Sequence, residues 1–295
     1  MYEILNEINS PADVKKLNME QLKILADEMR MAILNRDSSV GGHVGPNLGI
    51  VETAIALHYV FNSPNDKIVW DVSHQSYPHK LLTGRKEGFI TDEGMQKISG
   101  YTNQDESEHD FFKVGHTSTS VSLACGLAKA RDLKREKHNI IAVIGDGSLS
   151  GGEALEGFSN AAVLNSNIII ILNDNEMSIA ENHGGLYNNL RLLRETNGKA
   201  ECNMFKALGF DYKYVADGNS VEAMIMALSE LRDTNKPTVL HIHTLKGKGY
   251  KPAEENKEPW HWSVPFNIED GRPKWNMSGE NYNDLTYNYL LEKIK

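Results

Sequence analysis

Two apolar runs, Ile140–Ile144 and Ile168–Leu172, break off abruptly into polar residues: Gly145-Asp146-Gly147 after the first, Asn173-Asp174-Asn175 after the second. Neither run alternates, which is the pattern of strands covered on both faces. The wider pattern predicts strands at Lys67–Val72, Ile140–Ile144, Asn167–Asn173, Tyr212–Val215 and Thr238–Thr244. Between them lie segments with apolar residues at helical spacing. Met19–Arg36 places Leu22, Leu25, Met29 and Ile33 on one face, with Asn18 and Gln21 spaced as a capping box. Ile50–Phe61, Ser118–Lys134, Gly151–Leu164 and Ser220–Arg232 read as further helices, and the glycines of Gly41–Gly49 mark a loop. Strands alternating with helices predict an α/β fold, an open parallel sheet with helices on both faces.

After Tyr250 the pattern changes. Pro252, Pro259, Pro265 and Pro273 punctuate a polar stretch. This divides the chain into a domain over residues 1–250, a linker over 251–280, and the start of a second domain over 281–295, where Asn283–Ile294 reads as a helix.

Charge and composition narrow the partners. A net charge of −9 argues against a nucleic-acid or anionic-membrane surface, which needs a basic patch. No apolar run approaches the roughly 18 residues a membrane helix requires, and Met1–Lys16 lacks the basic and apolar regions of a secretory signal. Cys125 and Cys202 fit no metal-ligand spacing; a reducing, cytoplasmic setting is expected.

The polar strand ends carry the chemistry. In an open parallel sheet, ligands bind beyond the carboxyl ends of the strands, where Asp146 and Asn175 stand. The helix beginning near Gly151 turns its amide-rich N-terminus to the same crevice, an anion site. Oxygen ligands beside N–H donors suit Mg²⁺ bridging a diphosphate. A P-loop is excluded, because no Gly-Lys-Ser/Thr follows the glycines. Gly145, Gly147 and Gly151 nearly match a dinucleotide fingerprint, but Ser150 stands where its last glycine belongs. A dinucleotide site and a ligand-free glycine turn stay open on this pattern alone.

The Gly145–Asn175 segment resembles the thiamine diphosphate motif of transketolase-like enzymes, with Asp146 and Asn175 separated by 175 − 146 = 29 positions. Gly41–Arg85, Val114–Lys134, Asn173–Leu186 and Leu245–Glu255 further resemble the 1-deoxy-D-xylulose-5-phosphate synthase family, Trp70–Lys80 (WDVSHQSYPHK) most specifically. The likeness runs over nearly the whole chain from Ser10.

By that resemblance, Asp146, the Asn175 side chain and the Met177 carbonyl bind Mg²⁺, while Gly147 and Ser148 contact the cofactor diphosphate. His43 lies beside the reacting centre and assists proton transfer. His74 serves both catalysis and the cofactor, and Gly115, His116, Thr117 and Ser118 line the diphosphate. Tyr250 is a further cofactor contact. His79 is a fourth motif histidine, and Lys80 is either a surface lysine or a holder of the substrate phosphate. The implied reaction joins pyruvate, with loss of CO₂, to glyceraldehyde 3-phosphate in a homodimer.

The chain departs from the pattern twice. Asn182 and Lys246 are 246 − 182 = 64 positions apart, a spacer shorter than the family's. The chain also corresponds to the first of three domains, and Tyr282–Ile294 resembles the opening helix of the second, pyrimidine-binding domain. Activity is therefore expected only when the pyrimidine-binding and C-terminal domains are supplied, in cis or in trans. The N-terminal subunit of a split transketolase and a catalytically silent cofactor-binding module are the alternatives.

Overall fold

The computed structural model describes residues 2–275, 279 and 281–294. Its centre is a five-stranded, wholly parallel sheet. The strands are β1 (Lys67–Trp70), β2 (Ile140–Gly145), β3 (Ile168–Asp174), β4 (Asp211–Val215) and β5 (Pro237–His243), in the order β1-β2-β3-β5-β4. The helices that position the site are α1 (Met19–Val40), α2 (Val44–Leu48), α3 (Val51–Val60), α4 (Tyr77–Leu82), α5 (Ser120–Lys134), α6 (Gly152–Val163), α7 (Gly185–Glu195) and α8 (Val221–Leu231).

The strand pleat divides the core in two. Ile141 and Val143 of β2 face the layer of α1, α3, α4 and α8, whereas Ile140, Ala142 and Ile144 face α5 and α6. Both sets are fully buried, so each apolar side chain contributes about 1.5–3 kcal/mol whichever face it meets. This is why the strand sequences run apolar without alternation.

The sheet changes direction between β3 and β5. The connection from β2 to β3 carries α6 on one face, and that from β4 to β5 carries α8 on the other. Two right-handed crossovers running opposite ways need opposite faces. The gap this opens at the carboxyl ends is the switch point where ligands bind in such sheets. Thr244 closes its floor, its Oγ1 donating to Asn173 Oδ1 (2.6 Å) and its N–H to the Asp174 carbonyl (3.0 Å).

Three segments differ from the sequence expectation. Gly41–Gly49, expected as a loop, contains α2; Pro46 falls in its first turn, where a missing N–H costs nothing. α1 continues past Arg36 to Val40, because the Arg36 guanidinium donates to its neighbour Asp37 (2.7 Å) and lets both be buried there. The stretch expected as a linker from Lys251 packs closely as far as Lys274. Trp260 and Phe266 join the core. Gly42 and Ser263 exchange two backbone hydrogen bonds of 2.9 Å, and the Phe266 N–H and Lys274 Nζ both donate to the Ser38 carbonyl. Helix Tyr282–Ile294 forms where expected and buries none of its residues. Among the described residues, no helix is long and apolar enough to cross a membrane.

Candidate cofactor site

A cleft of about 330 Å³ opens at the switch point. Asp146 follows β2 directly and heads a single helical turn, Asp146–Leu149. Its carboxylate is buried and accepts a hydrogen bond from Asn182 Nδ2 (2.8 Å). Burial, and then the neighbouring Asp174 charge, push its pKa well above the usual carboxylate range. Burial would also raise Asp174, but His241 Nε2 (2.8 Å) and Arg194 Nη1 (2.5 Å) outweigh it and hold that carboxyl low. Two buried carboxylates side by side, only one neutralised by cations, leave a site short of positive charge.

The oxygens around Asp146 suit a hard cation. Asn175 and Met177 line the same cleft, and a carboxylate, a carboxamide oxygen and a backbone carbonyl are ligands that Mg²⁺ accepts. Between them, Glu176 takes a left-handed backbone, φ 69°, at a cost of roughly 1–2 kcal/mol. The Asn175 side chain in turn accepts from the Met177 N–H (3.2 Å).

The opposite wall is built for an anion. Thr117, Ser118, Gly147, Ser148 and Gly151 line it. A Cβ at Gly151 would lie 2.0 Å from Ser118 Oγ, and one at Gly147 2.8 Å from the Ser178 side chain, so backbone must approach there unclothed. Asp71, at the tip of β1, accepts from the N–H groups of Ser118 and Ser120 (both 2.9 Å) and fixes the turn, while Ser118 Oγ donates to the Ser148 carbonyl (2.7 Å). Lys246 reaches in from beyond β5 and donates to the Ser178 carbonyl (2.6 Å); burial lowers its pKa to about 8.

Three imidazoles close the cleft. His43 lies 5.1 Å from His74 and 5.6 Å from His261, ring centre to ring centre, and His74 and His261 stack at 5.2 Å. Burial lowers His43 and His261 to about 4 and holds His74, too, well below the usual imidazole range. All three rings are neutral near pH 7. Buried Asn47 sets their backbones, its Nδ2 donating to the carbonyls of His43 (2.6 Å) and His74 (2.7 Å). Among the described residues, Nδ1 of His74 and of His261 are buried without a hydrogen-bond partner.

Comparison with known proteins identifies a family and a fold. The family model described as 1-deoxy-D-xylulose-5-phosphate synthase matches residues 5–203 and 194–244. The chain belongs to that family. It is 42% identical to the synthase of Chlorobaculum tepidum over 92% of its own length and 49% of that protein, and 44% identical to that of Listeria monocytogenes over 92% and 46%. It thus spans about half the length of the curated relatives it matches. Among solved structures, a transketolase from Leishmania mexicana superposes with a TM-score of 0.66 at 19% identity, over 94% of this chain and 45% of that one. One from Campylobacter jejuni also gives 0.66, at 22% identity, over 84% and 41%. These share the fold.

Within this synthase-family frame, not every motif residue reaches the cleft. His43, His74, Thr117, Ser118, Asp146, Gly147, Ser148, Asn175 and Met177 line it together. Gly115 and His116 are exposed beside it, and His116 Nδ1 lies 2.8 Å from the Thr117 carbonyl. Tyr250 is instead a core residue: its hydroxyl donates to the Ile268 carbonyl (3.0 Å) and its ring packs on Trp260 at 5.0 Å. Lys80 is neither on the surface nor in the cleft. It is buried and donates to Glu106 (2.6 Å) and the Ser99 carbonyl (2.9 Å). His79 is buried too, between His58 and Asp110. Lys246 and His261 line the cleft although neither was expected there. Lys246 carried a signal, its place in the Leu245–Glu255 motif; His261 carried none, lying in the stretch read as linker.

A second, open cavity of about 840 Å³ shares Asp146 and Met177 with the cleft. Tyr187, Arg191 and Arg194 of α7 line it opposite Glu254–Glu258. This is the flank on which the shortened spacer runs.

Proposed function

We propose that this chain is the diphosphate-binding part of an enzyme that condenses pyruvate, with loss of CO₂, and glyceraldehyde 3-phosphate to 1-deoxy-D-xylulose 5-phosphate. The observation that carries the reading is the charge-deficient Asp146–Asp174 pair at the switch point, with Asn175 and Met177 lining the same cleft. Asp146, the Asn175 side chain and the Met177 carbonyl would hold Mg²⁺. Thr117, Ser118, Gly147 and Ser148 would hold the diphosphate of thiamine diphosphate, with Lys246 offsetting its charge. When bound, that cofactor supplies the nucleophilic carbon and the electron sink of the reaction. The chain's own contribution is to exclude water and move protons. His43, His74 and His261, neutral near pH 7, can each take a proton from a substrate hydroxyl and return it. Turnover requires pyrimidine-binding and C-terminal domains and, by likeness to the family, a homodimer in the cytoplasm.

A split transketolase is the second reading. It is favoured by the 64-position spacer and the open cavity beside it, which leave room for longer sugar phosphates.

Calorimetric titration of the 295-residue chain with thiamine diphosphate should give Mg²⁺-dependent binding, abolished by Asp146→Ala. Binding that ignores Mg²⁺, or no binding, would overturn the assignment. With the further domains supplied, product from pyruvate supports the synthase; product only from a ketose phosphate donor supports the transketolase. The chain alone should give no product with either donor.

A further inference from the structure

The short turn that carries Asn175 and Met177 is poorly secured by itself. Around Glu176 its internal hydrogen bonds are long: Glu176 N–H to Asp174 Oδ1 at 3.2 Å, Met177 N–H to Asn175 Oδ1 at 3.2 Å, Asn182 N–H to the Glu176 carbonyl at 3.4 Å; only farther along does Ser178 N–H reach the Ala180 carbonyl at 2.9 Å. At its centre Glu176 holds a left-handed backbone that side chains disfavour. Contacts from outside the turn keep it in place: Lys246 Nζ holds the Ser178 carbonyl (2.6 Å), and one side chain grips the residues on either side of Asn175. Arg194 donates through Nη1 to Asp174 (2.5 Å) and through Nη2 to Glu176 (2.6 Å).

Arg194 is itself firmly based. It follows Leu193 on α7, and Leu190 and Leu193 are fully buried against the β2–β3 face of the sheet. The helix is tied further by Asn189, whose Oδ1 accepts from the Met204 N–H (3.2 Å) and whose Nδ2 donates to the Cys202 carbonyl (2.9 Å). The Arg194 side chain is only 13% exposed and Asp174 wholly buried, so that arm is no mobile surface pair; the Glu176 arm, on a 51% exposed side chain, is anchored through it.

We infer that Arg194 is the positioning residue of the cation site: its two-armed grip on Asp174 and Glu176 holds the left-handed turn that presents Asn175 and Met177 to Mg²⁺. The inference rests on the cofactor reading above. It also runs against simple electrostatics. A guanidinium beside Asp146 and Asp174 repels an incoming cation, so charge alone predicts that removing Arg194 tightens metal binding. Positioning predicts the reverse.

The probe is Mn²⁺ in the presence of thiamine diphosphate, with free Mn²⁺ counted by electron paramagnetic resonance on the whole chain. Arg194→Lys keeps the charge, but an ammonium is a compact point donor without the planar fork that spans two carboxylates. It should weaken Mn²⁺ binding about tenfold, the lower end for partners that orient metal ligands. Arg194→Met should weaken it at least as much. Glycine adopts the left-handed conformation freely, so in a Glu176→Gly background the lysine variant should cost less than threefold. An unchanged affinity in Arg194→Lys, or a tighter one in Arg194→Met, would overturn the inference while leaving the cofactor reading intact. An equal loss in both backgrounds would remove Glu176 from it. If the unaltered chain takes up no Mn²⁺ with the cofactor, the cofactor reading falls first and this inference with it.

Discussion

The molecule holds two groups of histidines, and they are built on opposite principles. His58 and His79 form a chain of hydrogen bonds: His58 Nε2 to His79 Nδ1 (2.9 Å), and His79 Nε2 to Asp110 (3.0 Å), with Arg85 pairing both oxygens of Asp110. The carboxylate only accepts, so His79 donates through Nε2 and accepts from His58 through Nδ1. Among the described residues, His58 Nδ1 and Arg85 Nε are the atoms of this cluster left without a partner. In the cleft, His43, His74 and His261 meet ring against ring and leave polar atoms unspent. A buried network whose members bond one another and an ion pair holds a fold together; rings that line a cleft and do not bond one another are available to a ligand.

That contrast can be broken most forcefully at Asp110. Asp110→Ala strands Arg85 and His79 in the interior and should cost about 3–5 kcal/mol in denaturant unfolding, with cofactor affinity of the folded chain unchanged. Were affinity to fall while stability held, the two clusters would have exchanged roles. The reverse applies to His261→Asn. In a preparation supplied with pyrimidine-binding and C-terminal domains, kcat should drop about 100-fold, while Mg²⁺ and thiamine diphosphate affinity stay within about threefold and stability hardly moves.

Acid should separate the clusters next. His43 and His261 titrate near 4 in the fold, against 6.5 when unfolded. Between those values the unfolded chain binds protons that the folded chain refuses, so stability is full above about pH 6.5 and declines as pH falls toward 4. The double variant His43→Asn, His261→Asn should flatten that window in urea titrations. Asp110, held below the usual carboxylate range by His79 and Arg85 against the opposing effect of burial, loses its contribution only at still lower pH. The smallest effect belongs to Lys246. Its proton leaves near pH 8, so thiamine diphosphate affinity should fall several-fold from pH 7 to 9, and the slope should vanish in Lys246→Gln.

Much of this was written along the chain in short-range terms. β2 and β3 declared themselves because each is an unbroken apolar run ending on a polar residue, and their ends named Asp146 and Asn175 directly; β4, Asp-Tyr-Lys-Tyr-Val, alternates instead, as suits its half-exposed place at the sheet edge. The chain also announced α1 through its cap: Asn18 and Gln21 exchange the two hydrogen bonds of a capping box, as their spacing foretold. What stayed hidden was made by distance. His261 stands against His43 across more than two hundred positions, and nothing in Glu258–Ser263 distinguishes it from a polar connector. Lys80 was misjudged because burial of a lysine depends on Glu106, a partner twenty-six positions away. Tyr250 was misjudged because a conserved-looking motif says where a backbone turns and not which way a ring points; Trp260 and Phe266 capture it for the core.

The ladder between Gly42 and Ser263 has a practical consequence. The third imidazole reaches the reaction chamber on a strap fastened there by a single reciprocal pair of amide bonds, with Trp260 and Phe266 as its rivets. The rivets and the imidazole are therefore separable parts. Residues 255–259 can be altered while the sheet, the Asn175–Met177 turn and the glycine-lined wall keep their places, which makes this strap the part of the cleft's surroundings most open to change at small cost to the fold.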